Sequence, residues 1–212
     1  MALMPRPKDI PRDRSLLYLR GVRRVNLFCV ENGIEPPVIF DPDPIEDWDI
    51  GYCAYYRPCF IRICLEHCGR CAGELTSRNW SWPGSDTDRE PYGVLCHELG
   101  HHVDYQTGTS RGRYFSDYGE SVQNDSRERP ISGYCPNPAE WFAEMFRVFV
   151  TNAALLEALR PRTYEVLVSR WTPISKPDWR EELGANVPDR IVANLEKKVG
   201  QLKRRKAAKV LA

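Results

Sequence analysis

No apolar run of about eighteen residues occurs in this 212-residue chain, so nothing in it reads as a membrane-spanning helix. An excess of charge of one sign is also missing. Thirty Lys and Arg stand against 29 Asp and Glu, for a net charge of +1. A chain so balanced has no bulk field that draws it to nucleic acid or to an anionic membrane. Residues 1–14 alternate proline with charge and build no apolar core of a signal peptide. Internal repeats are absent. These absences predict a soluble, cytoplasmic protein of one domain with or without appendages, long enough to bury a real core.

Histidine is scarce, yet three of the four copies fall within residues 97–102. His97-Glu98-Leu99-Gly100-His101 has the H-E-x-x-H spacing. On a helix opened by Glu90-Pro91, His97 and His101 share one face, offset by about 40° of rotation and ~6 Å of rise. Both imidazoles can then reach one tetrahedral zinc at roughly 2.0–2.1 Å. Glu98, one step round the helix, can hold the water that such a zinc would activate and take its proton. Val94, Leu95, Leu99 and Val103 give the helix a buried face, and His102, turned by about 100° from His101, reads as a surface or supporting residue.

A zinc that performs chemistry needs a third protein ligand and an open fourth position. The segment Asn137-Pro138-Ala139-Glu140-Trp141-Phe142-Ala143-Glu144 supplies candidates. Asn137 suits an N-cap and Pro138 the first helical position, so a helix starts here with Phe142, Met145, Phe146 and Phe149 as its buried stripe. Glu140 and Glu144 stand i, i+4 on one face. Glu140 is the favoured ligand and Glu144 the alternative; Glu140 could instead merely complete a capping box. With Glu140 on the metal, Glu144 would hydrogen-bond the far nitrogen of a ligand histidine, and Asp104 is a further candidate for support of that kind.

HELGHHVD (97–104) and NPAEWFAEMFR (137–147), preceded by Ser132-Gly133-Tyr134, resemble the core of anthrax-lethal-factor-like metallopeptidases, including phage-encoded members. The resemblance covers residues 50–150 and implies a zincin-like fold of the gluzincin type. It implies His97, His101 and Glu140 as zinc ligands, Glu98 as general base, and Tyr134 as the residue assisting the water or the oxyanion. It says little about substrate.

Eight cysteines are many for a reducing cytosol, where disulfides are uncommon. Cys59, Cys64, Cys68 and Cys71 fall in thirteen residues, with Cys53 and His67 close by. Four thiolates could close a structural zinc. A strand through Cys59-Phe60-Ile61-Arg62-Ile63-Cys64 would point its two cysteines to opposite faces, so Cys64, Cys68 and Cys71 with Cys53 or His67 is an equal alternative. Unliganded thiols are a third. Cys29, Cys96 and Cys135 read as small core residues.

Apolar spacing (Leu16, Leu17, Val22, Val25, Phe28) predicts a helix over 14–31 that ends at Asn32-Gly33. Residues 36–40, 51–56 and 59–65 read as strands, the last as the edge that receives an extended substrate. Residues 107–136 lack periodicity and carry Tyr114, Phe115 and Tyr118, a cleft wall, a lid or a solvated insertion. Short helices are expected at 152–160 and 162–171, and an amphipathic one at 188–208.

The organisation expected is an N-terminal helix and arm (1–35), a zincin-like domain (36–187) and a C-terminal amphipathic helix with a basic tail (188–212). The class expected is α+β, with a short antiparallel sheet ahead of the H-E-x-x-H helix and a helical C-terminal part. The function expected is zinc-dependent hydrolysis of a protein or peptide substrate. The alternatives are a zinc-stabilised nucleic-acid- or protein-binding module and a regulatory peptidase of the ImmA/IrrE type acting on a DNA-bound repressor. The basic tail could touch phosphates, but a solvated helix end is favoured for it.

Overall fold

The order of elements is α1 (Arg12–Glu31), β1 (Val38–Ile39), β2 (Ala54–Arg57), β3 (Phe60–Ile63), β4 (Arg70–Cys71), β5 (Glu74–Leu75), α2 (Pro91–Thr107), α3 (Tyr118–Ser126), α4 (Pro138–Leu159), α5 (Pro161–Val168), α6 (Trp179–Glu182) and α7 (Asp189–Val210). They belong to a computed structural model that describes residues 12–44, 54–68, 70–71, 74–75, 90–109, 117–132, 137–174, 176–182 and 189–210. The class is α+β and mostly helical. No helix among the described residues is long and apolar enough to cross a membrane.

Local signals set the helix ends. Gly33 takes φ 63° just past α1, the left-handed conformation that glycine adopts without a Cβ penalty. Pro91 and Pro138 open α2 and α4 at their first turns, where a missing N–H costs nothing. The helices expected at 138 and 152 run on as one, broken at Asn152, whose φ of −162° and ψ of 74° are not helical. Asn152 Oδ1 caps the second half by accepting from the Leu155 N–H at 3.0 Å. The carbonyls released at the break are taken by Arg24 of α1, which donates to Val150 O at 2.8 Å and Thr151 O at 3.2 Å. An arginine on one helix thus satisfies the interruption of another.

The three-stranded sheet has the order β1-β3-β2 and is mixed, which corrects the antiparallel expectation in part. β2 and β3 are antiparallel, with Tyr56 opposite Ile61, whereas β1 is parallel to β3, with Val38 beside Phe60. Pro58 and Cys59 make the hairpin turn, and Cys59 carries φ 76°, a pattern that type II turns place on glycine. That turn fixes the β2–β3 pairing locally; no local signal fixes the direction of β1. β3, expected as an edge, therefore lies in the middle of the sheet, and β2 is an edge.

One core joins these pieces. Phe28 of α1 packs edge-on to Phe146 of α4 with ring centroids 5.3 Å apart, and Val25 and Cys29 are buried beside it. Leu195 and Val199 of α7 join the same cluster. Packing is therefore shared among α1, α4 and α7. Leu16, expected on the buried face, is 61 % exposed.

At the centre, α2 crosses α4 at Gly100. A Cβ built on Gly100 would lie 2.7 Å from the Cα of Ala143, so the two backbones touch. Gly100→Ala gains ~1 kcal/mol of helix propensity. It also forces a methyl into backbone that cannot rotate away, and overpacking typically costs ~1–3 kcal/mol even where side chains can adjust. We expect a net loss of about 1–2 kcal/mol in urea denaturation. Stability equal to the parent protein would mean that the crossing is looser than described.

Candidate metal centre

The cap and the site share one residue. Asn137 Oδ1 accepts from the Glu140 N–H at 3.0 Å, so the backbone of Glu140 serves the cap while its side chain is free to reach α2. Four residues on, Glu144 lies on the same side of α4, and the close crossing at Gly100 brings both carboxylates to His97 and His101.

Glu140 Oε2 lies 3.0 Å from His97 Nε2 and 3.6 Å from His101 Nε2. One donor atom from each of His97, His101 and Glu140 falls within 4.8 Å of the others, and it is the one such group of His, Cys, Asp or Glu found among the described residues. Zinc bonds of about 2.05 Å at the tetrahedral angle leave neighbouring donors about 3.3 Å apart. The two measured separations bracket that edge. The donor set, two imidazoles and a carboxylate, is also one that zinc takes in catalytic sites. The residues fit the ion.

The other face of His97 is held as well. Its Nδ1 lies 2.8 Å from Glu144 Oε1. Ionised carboxylates only accept hydrogen bonds, so a ring with carboxylate oxygens at both nitrogens carries two protons. Burial works to lower the pKa of His97, but the bonds to Glu140 and Glu144 overcome it and push it up to about 10. The Nε2 proton stands where a metal would. Burial likewise opposes the ionisation of Glu140, yet His101 and His97 hold its carboxyl well below the usual range.

Glu98 is 7 % exposed, and burial raises its pKa against the pull of His97 and His101; a backbone hydrogen bond from Tyr56 holds it. His102, expected as a surface or supporting residue, is buried and faces away from the site. Its Nε2 donates to Glu35 O at 2.8 Å, and its ring meets that of Tyr56 at 5.6 Å. Asp104 serves another helix: Oδ1 accepts from the Gly119 N–H at 2.7 Å, tying α2 to α3.

Tyr118 packs inward, 5.3 Å from Phe142, and its hydroxyl accepts from Trp171 Nε1 at 3.0 Å. It is a core contact of the 107–136 connection. Tyr114, Phe115 and Tyr134 lie outside the described residues, so the place of Tyr134 is an expectation still.

Cys59 is exposed on the hairpin turn, while Cys64 and Cys68 are fully buried, and these three form no metal-binding group among the described residues. Cys68 Sγ donates to Cys64 O at 3.4 Å, and burial raises the Cys64 thiol. Cys53 and the side chain of Cys71 lie outside the described residues. Cys29 and Cys96 are core thiols as expected, with Cys29 pushed up to about 12 by burial.

Two residues given no role by the sequence complete the centre. Arg147, 1 % exposed, donates from Nε to Glu144 Oε1 and from Nη2 to Glu144 Oε2, each at 3.0 Å. Ser132 Oγ donates to Glu144 Oε2 in a short hydrogen bond. An arginine inside a helix whose neighbours are all apolar was the available signal for the first. Ser132 gave none, because it arrives from a separate segment.

Because the metal-free His97 is raised to about 10, it is protonated throughout the neutral range and a metal must displace that proton. Zinc binding is therefore expected to release about one proton from His97 between roughly pH 6.5 and 9. Affinity should fall as pH falls and rise about tenfold per pH unit over that span. Calorimetric titration in buffers of different ionisation enthalpy measures it, and release of no proton would show His97 to be neutral.

The chain matches no protein-family model, no curated protein and no solved structure.

Proposed function

We propose that this chain is a zinc-dependent metallopeptidase of the gluzincin type, with a zincin-like domain similar to that of the lethal-factor-like enzymes. The observation that carries the reading is the convergence of His97, His101 and Glu140 with Glu98 buried alongside. His97 and His101 on α2 and Glu140 on α4 would hold the ion through Nε2, Nε2 and Oε2. Zinc, when bound, lowers the pKa of a coordinated water toward ~7 and polarises a carbonyl.

The chain's own residues supply the rest. Glu98 receives the proton of the attacking water at its carboxylate and delivers it to the leaving amine. Burial raises its pKa toward the working range, as suits a base that must also act as an acid. The Tyr56 backbone N–H holds that carboxylate in place from the neighbouring strand. β2, an edge whose Tyr56 ring meets His102 of α2, takes over from β3 as the strand that would align an extended peptide. Tyr134 is proposed to assist at the oxyanion. A peptide bond is the proposed target, with no particular sequence named around it.

Glu98→Gln should keep its zinc and its fold while hydrolysis of a peptide library drops by ~10²–10⁴. Activity within a few-fold of the parent, on samples of equal zinc content, would reject Glu98 as the base.

Glu140→Ala should lose zinc affinity severely, whereas Glu144→Ala should weaken it by ~10–100-fold, as for loss of a partner behind a ligand. Competitive zinc titration of both variants compares them. A larger loss in Glu144→Ala would reverse the two roles.

A further inference from the structure

Behind His97 lies a carboxylate with four hydrogen bonds and no exposure to solvent. Glu144 Oε1 takes the His97 Nδ1–H at 2.8 Å and Arg147 Nε at 3.0 Å, and Oε2 takes Arg147 Nη2 at 3.0 Å and the Ser132 hydroxyl. An aliphatic carboxylate turns about its last bond, and a single histidine contact would leave that rotation open. The guanidinium closes it. Arg147 and Glu144 sit i, i+3 on α4, and the planar fork meets both carboxylate oxygens side-on, the bidentate pairing that fixes orientation as well as charge. Ser132 adds a third direction from a segment that is anchored elsewhere. Glu128 of that segment accepts from Thr163 at 2.9 Å, and Arg160 donates to the carbonyls of Arg129 and Pro130 at 2.6 and 2.7 Å.

We infer that Arg147 is a positioning residue for the metal centre. It fixes the Glu144 carboxylate so that Glu144 takes Nδ1–H of His97 and leaves Nε2 directed at the ligand position beside Glu140. This rests on the metal reading above and adds to it a cation that touches neither metal nor substrate. The carboxylate supports the ligand histidine because the arginine has removed its alternatives.

The test is a double-mutant cycle on zinc affinity, with thermal unfolding of the metal-free proteins and the visible spectrum of the cobalt-substituted site as separate readouts. Arg147→Met, which keeps the bulk of the side chain without the fork, should weaken zinc binding by ~10–100-fold and alter the cobalt spectrum. Arg147→Lys, charged but unable to engage both oxygens, should lie between Met and the parent. Because Arg147 acts through Glu144, combining Arg147→Met with Glu144→Gln should cost no more than the larger single loss. Full multiplication of the two losses would overturn the inference, as would parental zinc affinity in Arg147→Met. Should Arg147→Met not fold, Arg147→Lys decides: parental affinity and spectrum there would show that the charge suffices and the fork positions nothing. A parent protein that binds zinc no better than Glu140→Ala would overturn the metal reading itself, and this inference with it.

Discussion

Everything at the centre depends on how closely α2 and α4 approach, and the contact between Gly100 and Ala143 sets that distance. Glutamate side chains are short. For Glu140 and Glu144, one turn apart on α4, to reach opposite nitrogens of the same imidazole, the helix carrying that imidazole must lie almost against the backbone of the other. A Cβ on Gly100 would stand 2.7 Å from the Ala143 Cα, and Ala143 is the residue immediately before Glu144. The closest point of the crossing therefore falls between the two carboxylates, with His97 three residues before Gly100 and His101 next to it. The ordinary cost of a mid-helix glycine, ~1 kcal/mol, is offset by a geometry that no larger residue permits.

Bringing the helices so close buries charge, and buried charge is tolerated only when it is paired. The arrangement meets that requirement in series. Glu140 faces His97 and His101, Glu144 faces His97 and Arg147, and the buried Arg147 is paired with Glu144 one turn before it on α4. The metal-free protein balances this chain with a protonated His97. A divalent ion at the same place would take over the role of that proton against Glu140, while the contacts behind His97 need not change. A site with its donors already gathered would leave little reorganisation for an ion to drive.

What could be read in the sequence was local. The caps Asn137 and Gly33, the prolines at 91 and 138 and the i, i+4 histidines all follow from neighbours in the chain, and the structure places them accordingly. What could not be read was non-local. The parallel pairing of β1 puts β3 at the middle of the sheet, and no residue near Val38 announces it. His102 reads as peripheral because helical rotation turns it away from the site, yet a carbonyl from Glu35, 67 positions earlier, meets it in the interior. Asp104 reads in the sequence as a support behind a ligand histidine, and in the structure a backbone N–H of α3 meets its carboxylate. Arg147 was visible as a residue and silent as a function, because its meaning depends on whether the helix is surrounded on all sides.

The same surroundings separate three glutamates that the sequence presents as equals. Glu144 is buried and Glu140 half-buried, but cationic partners more than compensate for the desolvation, and both carboxyls are held well below the usual range. Glu98 is buried as well, and there desolvation prevails over the pull of His97 and His101 and over the backbone hydrogen bond from Tyr56, so its pKa moves up. Environments that push like groups apart mark which of them can exchange a proton and which serve as fixed charges. A carboxylate locked against an arginine or shared between two imidazoles has little tendency to accept a proton. Under the proposed hydrolysis, Glu98 beside His97 on α2 is the one suited to exchange a proton. The difference in ionisation among Glu98, Glu140 and Glu144 thus follows from the company each keeps, and the crossing at Gly100 decides that company.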